Sequence, residues 1–216
     1  HTLAVIEDVL RRYDIDGVHI DDYFYPYPVK AADGSELPFP DDASFAASGT
    51  RMARDDWRRD RVDRFVRALY ERVHAIKPWV RVGISPFALP RRDRRRGPTQ
   101  GIEGFDPHAK LYAEAEHWLG EGWCDYIAPQ LYWPMAQRAQ AFDVLLAHWH
   151  VANAKRRHLW PGLFASRVAL PPKPWPAEEI ERQLAHLRAH AQQAGGHIHF
   201  SMAALMDDRG GLASRL

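Results

Sequence analysis

The sequence predicts an α/β fold of the (β/α)8 TIM-barrel type, incomplete, comprising about strands 4 to 8 with their helices. Three observations carry this. Short apolar runs alternate with amphipathic helical patterns, polar and aromatic residues gather where several of those runs end, and no glycine-rich phosphate loop follows any of them. Near-continuous apolar strands alternating with helices mean a parallel sheet covered on both faces. Polar groups drawn to many strand ends are the habit of a barrel, whereas a doubly wound sheet that binds nucleotides carries a glycine fingerprint after its first strand.

Five runs read as strands: "DGVHID" (16–21), "VRVGISPFA" (80–88), "DYIAPQLYW" (125–133), "HLWPGLFAS" (158–166) and "GHIHFSMAAL" (196–205). Helical spacing fills the intervals. Ile6, Val9, Leu10 and Tyr13 precede the first strand. Val62, Phe65, Val66, Leu69, Val73 and Ile76 recur at i, i+3, i+4 and i+7 after it. Leu111 to Leu119, Phe142 to Trp149 and Ile180 to Ala191 supply the others, the last entered through Pro176, as a helix start favours. A complete barrel has eight strands in about 250 residues. Five strands in 216 residues, in a chain that opens at His1 inside a helical pattern, predict one domain over 1–216 whose first three β/α units lie upstream. The competing expectation is a complete small α/β protein with an open sheet. Two long loops, 23–55 and 89–108, leave strand ends and are expected to roof the mouth.

Composition narrows the function classes. With 29 basic against 28 acidic residues, no global field favours nucleic acid or an anionic membrane. The arginine run "RRDRRRG" (91–97) lacks interleaved aromatics and reads as a solvated loop. Cys124 is the one cysteine, so no intrachain disulfide forms. No apolar run approaches the ~18 residues of a membrane span.

The stretch "DGVHIDDYFYPYP" (16–28) concentrates the chemistry. Side chains alternate along a strand, so Val18 and Ile20 take the helix side while His19 and Asp21 point inward, Asp21 nearest the mouth. Asp22 opens the loop. Tyr23, Phe24, Tyr25 and Tyr27 follow, stiffened by Pro26 and Pro28, either as a sugar-stacking wall or as a small apolar cluster beneath the loop. Ser85, Gln130, Tyr132, Trp133, Ser166 and Ser201 stand toward the ends of other strands. Arg58 and Arg59 either clamp the long loop through its acids or bind a substrate carboxylate, the clamp being favoured. His197 and His199 share a strand face, as do His19 and Asp21, but core histidines bonded to neighbours are commoner than ligands, and no metal or other cofactor is expected.

In order along the chain, "RRYDIDGVHIDDYFYPYP", "DDWRRDRV", "VRVGISPF", "WLGEGWCDYIAPQLYWP", "RHLWPGLFASRV" and "GHIHFSMAALM" resemble blocks of the bacterial glycosyl-hydrolase-like 10 domain. The resemblance covers Tyr13 to Met206, and "DGVHIDDYFYPYP" and "DYIAPQLYW" are its most specific parts. It implies a glycosidase barrel acting on cell-wall glycan, outside the cytoplasm, with a polysaccharide partner. It adds Trp57 to the substrate-binding candidates. The chain departs from the pattern at Arg61, where the family usually has Asn, at Ala88–Arg91, where it commonly has Gly-Ile-Trp-Arg, and at Glu114.

Glycoside cleavage normally uses two carboxyls. No second acid stands near the end of the 125–133 or 158–166 strand, and Asp125 lies at its strand's start. Asp21 and Asp22 are therefore the expected catalytic pair, Asp22 as general acid and Asp21 orienting a substrate 2-acetamido group, or the reverse. Glu103, Asp106 and Asp42 are the fallback acids. The set expected to bind substrate is His19, Tyr23, Tyr25, Trp57, Arg58, Arg59, Ser85, Gln130, Tyr132, Trp133 and Ser201. A barrel that binds glycan without cleaving it is the rival expectation.

Overall fold

The computed structural model describes residues 1–216. Helix α1 (Thr2–Arg12) leads into strand β1 (Gly17–Ile20), and the long loop that follows carries the short helix α2 (Asp42–Ala47). Helix α3 (Arg54–Ile76) returns the chain to β2 (Arg81–Ile84). Helices α4 (Pro107–Lys110) and α5 (Ala115–Glu121) precede β3 (Tyr126–Ile127), and α6 (Phe142–Ala152) precedes β4 (His158–Leu159) and β5 (Gly162–Leu163). Helix α7 (Ala177–Ala189) leads to β6 (Ile198–His199), and α8 (Met202–Met206) and α9 (Leu212–Arg215) close the chain.

All ladders are parallel and strand order follows chain order: β1-β2-β3-β4, then β5-β6. β4 and β5 are one run interrupted at Trp160–Pro161. Trp160 N–H still donates to the Ile127 carbonyl at 2.9 Å, and Gln130 bridges to Gly162, which joins β5 to the extension of β3. The five predicted strands are therefore all present, though the regular ladders are shorter than the apolar runs. No reversal of strand order creates the switch point of a doubly wound sheet. The result is an α/β fold with helices between successive parallel strands, an arrangement compatible with part of a barrel.

Burial follows the alternation. Val18 and Ile20 pack on the cluster of Leu10, Leu69, Val73, Val80 and Val82 between β1, β2, α1 and α3. Val62, Val66, Leu69 and Val73 are the buried stripe of α3. That helix begins eight residues before its apolar pattern does, because Asp55 and Asp56 in its first turn suit the helix dipole and intrahelical pairs such as Arg59–Asp56 and Arg64–Asp60 hold its polar start. The pattern at 111–119 is helical only from Ala115, in α5; Leu111 lies just past α4, and Tyr112 between the two helices takes a left-handed conformation (φ 54°).

One glycine sets the inner face. Gly83 pairs with His19 on one side and Tyr126 on the other. The Tyr126 ring lies across Gly83 so closely that an added Cβ would meet ring atoms at 1.9–2.4 Å. Gly83→Ala is expected to displace Tyr126 and destabilise the fold by about 1–3 kcal/mol, the usual cost of overpacking. Thermal unfolding of the variant, with the Tyr126 environment followed by NMR, checks this.

Candidate active site

β1 delivers His19 and Asp21 to the inner face, and the turn after it places Asp22 beside them. Asp21 Oδ1 collects three donors: the Asp22 backbone N–H at 2.8 Å, the Gln130 side-chain amide at 2.9 Å and the Ser85 hydroxyl at 3.4 Å. Gln130 is itself fixed by donating to the Ser85 carbonyl at 2.9 Å. His19 lies between Tyr126 OH and Ser85 Oγ, each 2.9 Å from a ring nitrogen. With Ser85 donating to Asp21, the network runs in one sense: Tyr126 donates to Nδ1, Nε2–H donates to Ser85, and Ser85 donates to the carboxylate. That pattern needs a neutral imidazole. Burial lowers the His19 pKa, against an opposing pull from Asp21.

Asp22 is the contrasting partner. It is 3% exposed, whereas Asp21 is open to solvent. Its Oδ2 accepts from Tyr27 OH. Burial pushes its pKa up; the Tyr27 hydrogen bond opposes this, and the charge of Asp21 and a side-chain hydrogen bond to it add to the rise. Two neighbouring carboxyls thus sit in different environments, the arrangement that separates an acid from a base.

These groups line a cleft of about 350 Å³ together with Tyr23, Tyr132, Phe164 and Phe200. Tyr132 stacks on Phe164 at 4.9 Å and on Phe200 at 5.5 Å, so a broad aromatic surface faces the carboxyl pair. A larger groove of about 750 Å³ flanks loop 23–41, and a third hollow of about 320 Å³ lies beside α5 and α6, but neither contains the carboxyl pair.

Of the residues expected at the site, the structure brings together Asp21, Asp22, His19, Tyr23, Ser85, Gln130 and Tyr132. The others are elsewhere. Tyr25 lines the flanking groove, edge-on to Phe39 and Tyr112. Trp57 is 6% exposed and packs on Phe45 beneath the loop. Arg58 forms a two-pronged pair with Asp41, at 2.8 and 2.7 Å, and also donates to Tyr112 OH, so it clamps the loop; it borders the flanking groove and lies outside the cleft. Arg59 is spent on Asp56 at 2.6 Å and the His108 carbonyl at 3.3 Å. Trp133 packs against Phe87 outside the cleft, and Ser201 faces Ser166 at 3.2 Å just before α8. Among the fallback acids, Asp106 caps α4 and Asp42 pairs with Arg54; neither they nor Glu103 line the cleft. Asp125, buried at its strand's start, accepts from the Val82 N–H at 2.8 Å. His197 and His199 lie edge to face 4.9 Å apart, and only Ile198 and Phe200 of that strand line the cleft.

Sequence reasoning missed Phe164 and Phe200 as cleft residues, Tyr126 as the partner of His19, and Tyr27 as the partner of Asp22. The alternation rule applied to "GLFAS" and "GHIHFS" could have placed the two phenylalanines with Tyr132. No local pattern shows that Tyr27 turns back on Asp22.

A family model described as glycosyl hydrolase-like 10 matches residues 1–177. The chain is 41% identical over 212 residues to glycosyl hydrolase YngK of Bacillus subtilis (strain 168), covering 93% of this chain and 39% of that protein. It is 34% identical over 176 residues to glycosyl hydrolase DigH of Escherichia coli (strain K12), covering 79% of this chain and 38% of that protein. The chain therefore spans about two fifths of the length of these relatives.

The Arg58–Asp41 clamp yields a prediction. Both side chains are nearly buried, and the Arg58 hydrogen bonds hold the Asp41 carboxyl below the usual range. Its contribution is full above the ordinary aspartate pKa and is lost as pH falls through the depressed value. Arg58→Ala, which leaves buried Asp41 with only the longer ion pair to Arg54 at 3.6 Å, is expected to cost roughly 3 kcal/mol and to open loop 23–55 to protease. Limited proteolysis alongside denaturant unfolding reads both effects.

Proposed function

Because the chain belongs to the glycosyl hydrolase-like 10 family, we propose that it carries the catalytic carboxyl pair of a glycosidase that cleaves N-acetylated bacterial cell-wall glycan. The observation that carries this reading is the pair itself: one buried and one open carboxyl, adjacent at a strand end, in a cleft with an aromatic wall. On this reading the five strands are strands 4 to 8 of a (β/α)8 barrel, whose active site sits where strands end. The site of action is outside the cytoplasm, where such glycan lies.

The chemistry follows from spacing. A retaining pair of carboxyls sits about 5 Å apart and an inverting pair farther still. Asp21 and Asp22 are successive residues and no other carboxyl lines the cleft, so no second acid stands across it from the pair. The nucleophile then comes from the substrate. The carbonyl oxygen of the sugar's 2-acetamido group attacks the anomeric carbon as the glycosidic C–O bond breaks. Asp22, whose burial favours the protonated form, gives its proton to the departing oxygen. Asp21, its Oδ1 fixed by three donors, uses its other oxygen to hold the acetamido N–H and to stabilise the oxazolinium that forms. Water then adds to the anomeric carbon, Asp22 takes its proton, and the acetamido group is restored. Sugar rings stack on Tyr132 and Phe200, which offer flat apolar faces.

The test is product release from peptide-free GlcNAc–MurNAc strands by the full-length protein, read by mass spectrometry. Short sugars are expected from the parent, with Asp21→Asn and Asp22→Asn each about 10²–10⁴-fold slower. Strands stripped of N-acetyl groups are expected to resist cleavage. Binding without release, or equal cleavage of stripped strands, overturns the reading.

A further inference from the structure

We infer that Tyr27 is a positioning residue for Asp22: its hydroxyl, donated to Oδ2, decides which oxygen of Asp22 carries the transferable proton and holds the side chain in one orientation. The inference deepens the proposed glycosidase reading and rests on it for its consequence in turnover.

The argument starts from hydrogen-bond inventory. A protonated carboxyl has one O–H donor and otherwise accepts. Tyr27 OH occupies Oδ2 as a donor, so that oxygen acts as acceptor and the proton resides on Oδ1. Tyr27 is suited to remain a donor, because burial and the adjacent Asp22 both push its own pKa well up. Its ring is held from two sides, tilted against Phe105 at 5.2 Å and edge-on to Tyr23 at 5.5 Å. Pro26 and Pro28 flank it in the chain and restrict the backbone that carries it. Phe105 in turn contacts Phe87 at 5.1 Å, at the end of the second predicted strand. The orientation of Asp22 is thereby tied to loop 89–108, which has no side chain of its own in the cleft.

The groups facing Asp22 are few. Asp21 lies beside it on the same turn, Tyr23 and Tyr27 come from the loop, and His19 and Tyr132 come from the strands. No lysine or arginine lines the cleft. Tyr27 is thus the one donor recorded on the Asp22 carboxyl from outside the acid pair, and the group that stabilises its ionised form. Without it, burial and the charge of Asp21 are opposed only by a backbone hydrogen bond of Asp22 itself.

Tyr27→Phe keeps the ring on Phe105 and removes the hydroxyl alone. Carbon-detected NMR titration of the Asp22 carboxyl, in the full-length protein without substrate, is expected to show its pKa rise by about one unit, the scale of one hydrogen bond to a charged group. The basic limb of the kcat/KM profile is expected to move up with it, and kcat to fall about tenfold while KM holds, as the acid loses its fixed orientation. Phe105→Ala, which loosens the ring but keeps the hydroxyl, is expected to lower kcat with a smaller change in the titration. An unchanged Asp22 titration in Tyr27→Phe overturns the inference. The titration needs no turnover, so a shifted Asp22 in a protein that cleaves no glycan sinks the glycosidase reading while leaving the Tyr27–Asp22 coupling standing.

Discussion

Two carboxyl groups on successive residues repel when both are ionised, and removing one from water makes its charge costlier still. The end of β1 imposes both conditions, and much of the surrounding architecture serves to satisfy them. Asp21 stays in contact with solvent and gathers donors from three separate segments: its own turn, Ser85 after β2 and Gln130 beyond β3. Asp22 is buried and receives one hydroxyl from Tyr27. The parallel ladder makes this possible. β1, β2 and the extension of β3 bring residues 64 and 109 positions from Asp21 to the same end of the sheet.

The inner face is built for the same purpose. Gly83 gives up its side chain so that Tyr126 can lie across β2 and reach His19. His19 then carries the hydrogen-bond direction on to Ser85, and Ser85 to Asp21. The lining of the cleft and its support are divided between the chain's two kinds of long segment. Strand ends supply Gln130, Tyr132, Phe164 and Phe200 to the cleft, while the loops supply Tyr23 and Tyr27 and are pinned from outside by Arg58 on Asp41 and by Arg95 on the carbonyls of Pro90, Gly104 and Phe105. The arginine run thus contains one structural staple; it is not a uniformly solvated stretch.

Legibility in the sequence followed physical range. Strand order, the inward placement of His19 and Asp21 and the convergence of Gln130 and Tyr132 depend on period-two alternation and on the parallel architecture, and both are written in local pattern. Extent was less legible. Apolar runs of six to ten residues became ladders of two to four, because Pro86, Pro129 and Pro161 remove donors and because the strand ends bend into loops. The site's periphery was least legible. Trp57 and Arg58 are adjacent polar-rich helix residues whose roles depend on where a loop thirty residues long folds back. Trp133 and Ser201 are one residue out of step with Tyr132 and Phe200, so the same alternation puts them on the other side, and Tyr27 reaches Asp22 through a turn that no periodicity describes.

On the proposed reading, the substrate's acetamido group, held by Asp21, takes the place of a second carboxyl. Calorimetric binding of a GlcNAc-derived thiazoline, a stable uncharged mimic of the cyclised intermediate, tests it most directly. Competitive binding at least a hundredfold tighter than that of GlcNAc is expected, with most of that advantage lost in Asp21→Asn. Binding no tighter than that of GlcNAc, or tight binding indifferent to Asp21, would contradict it.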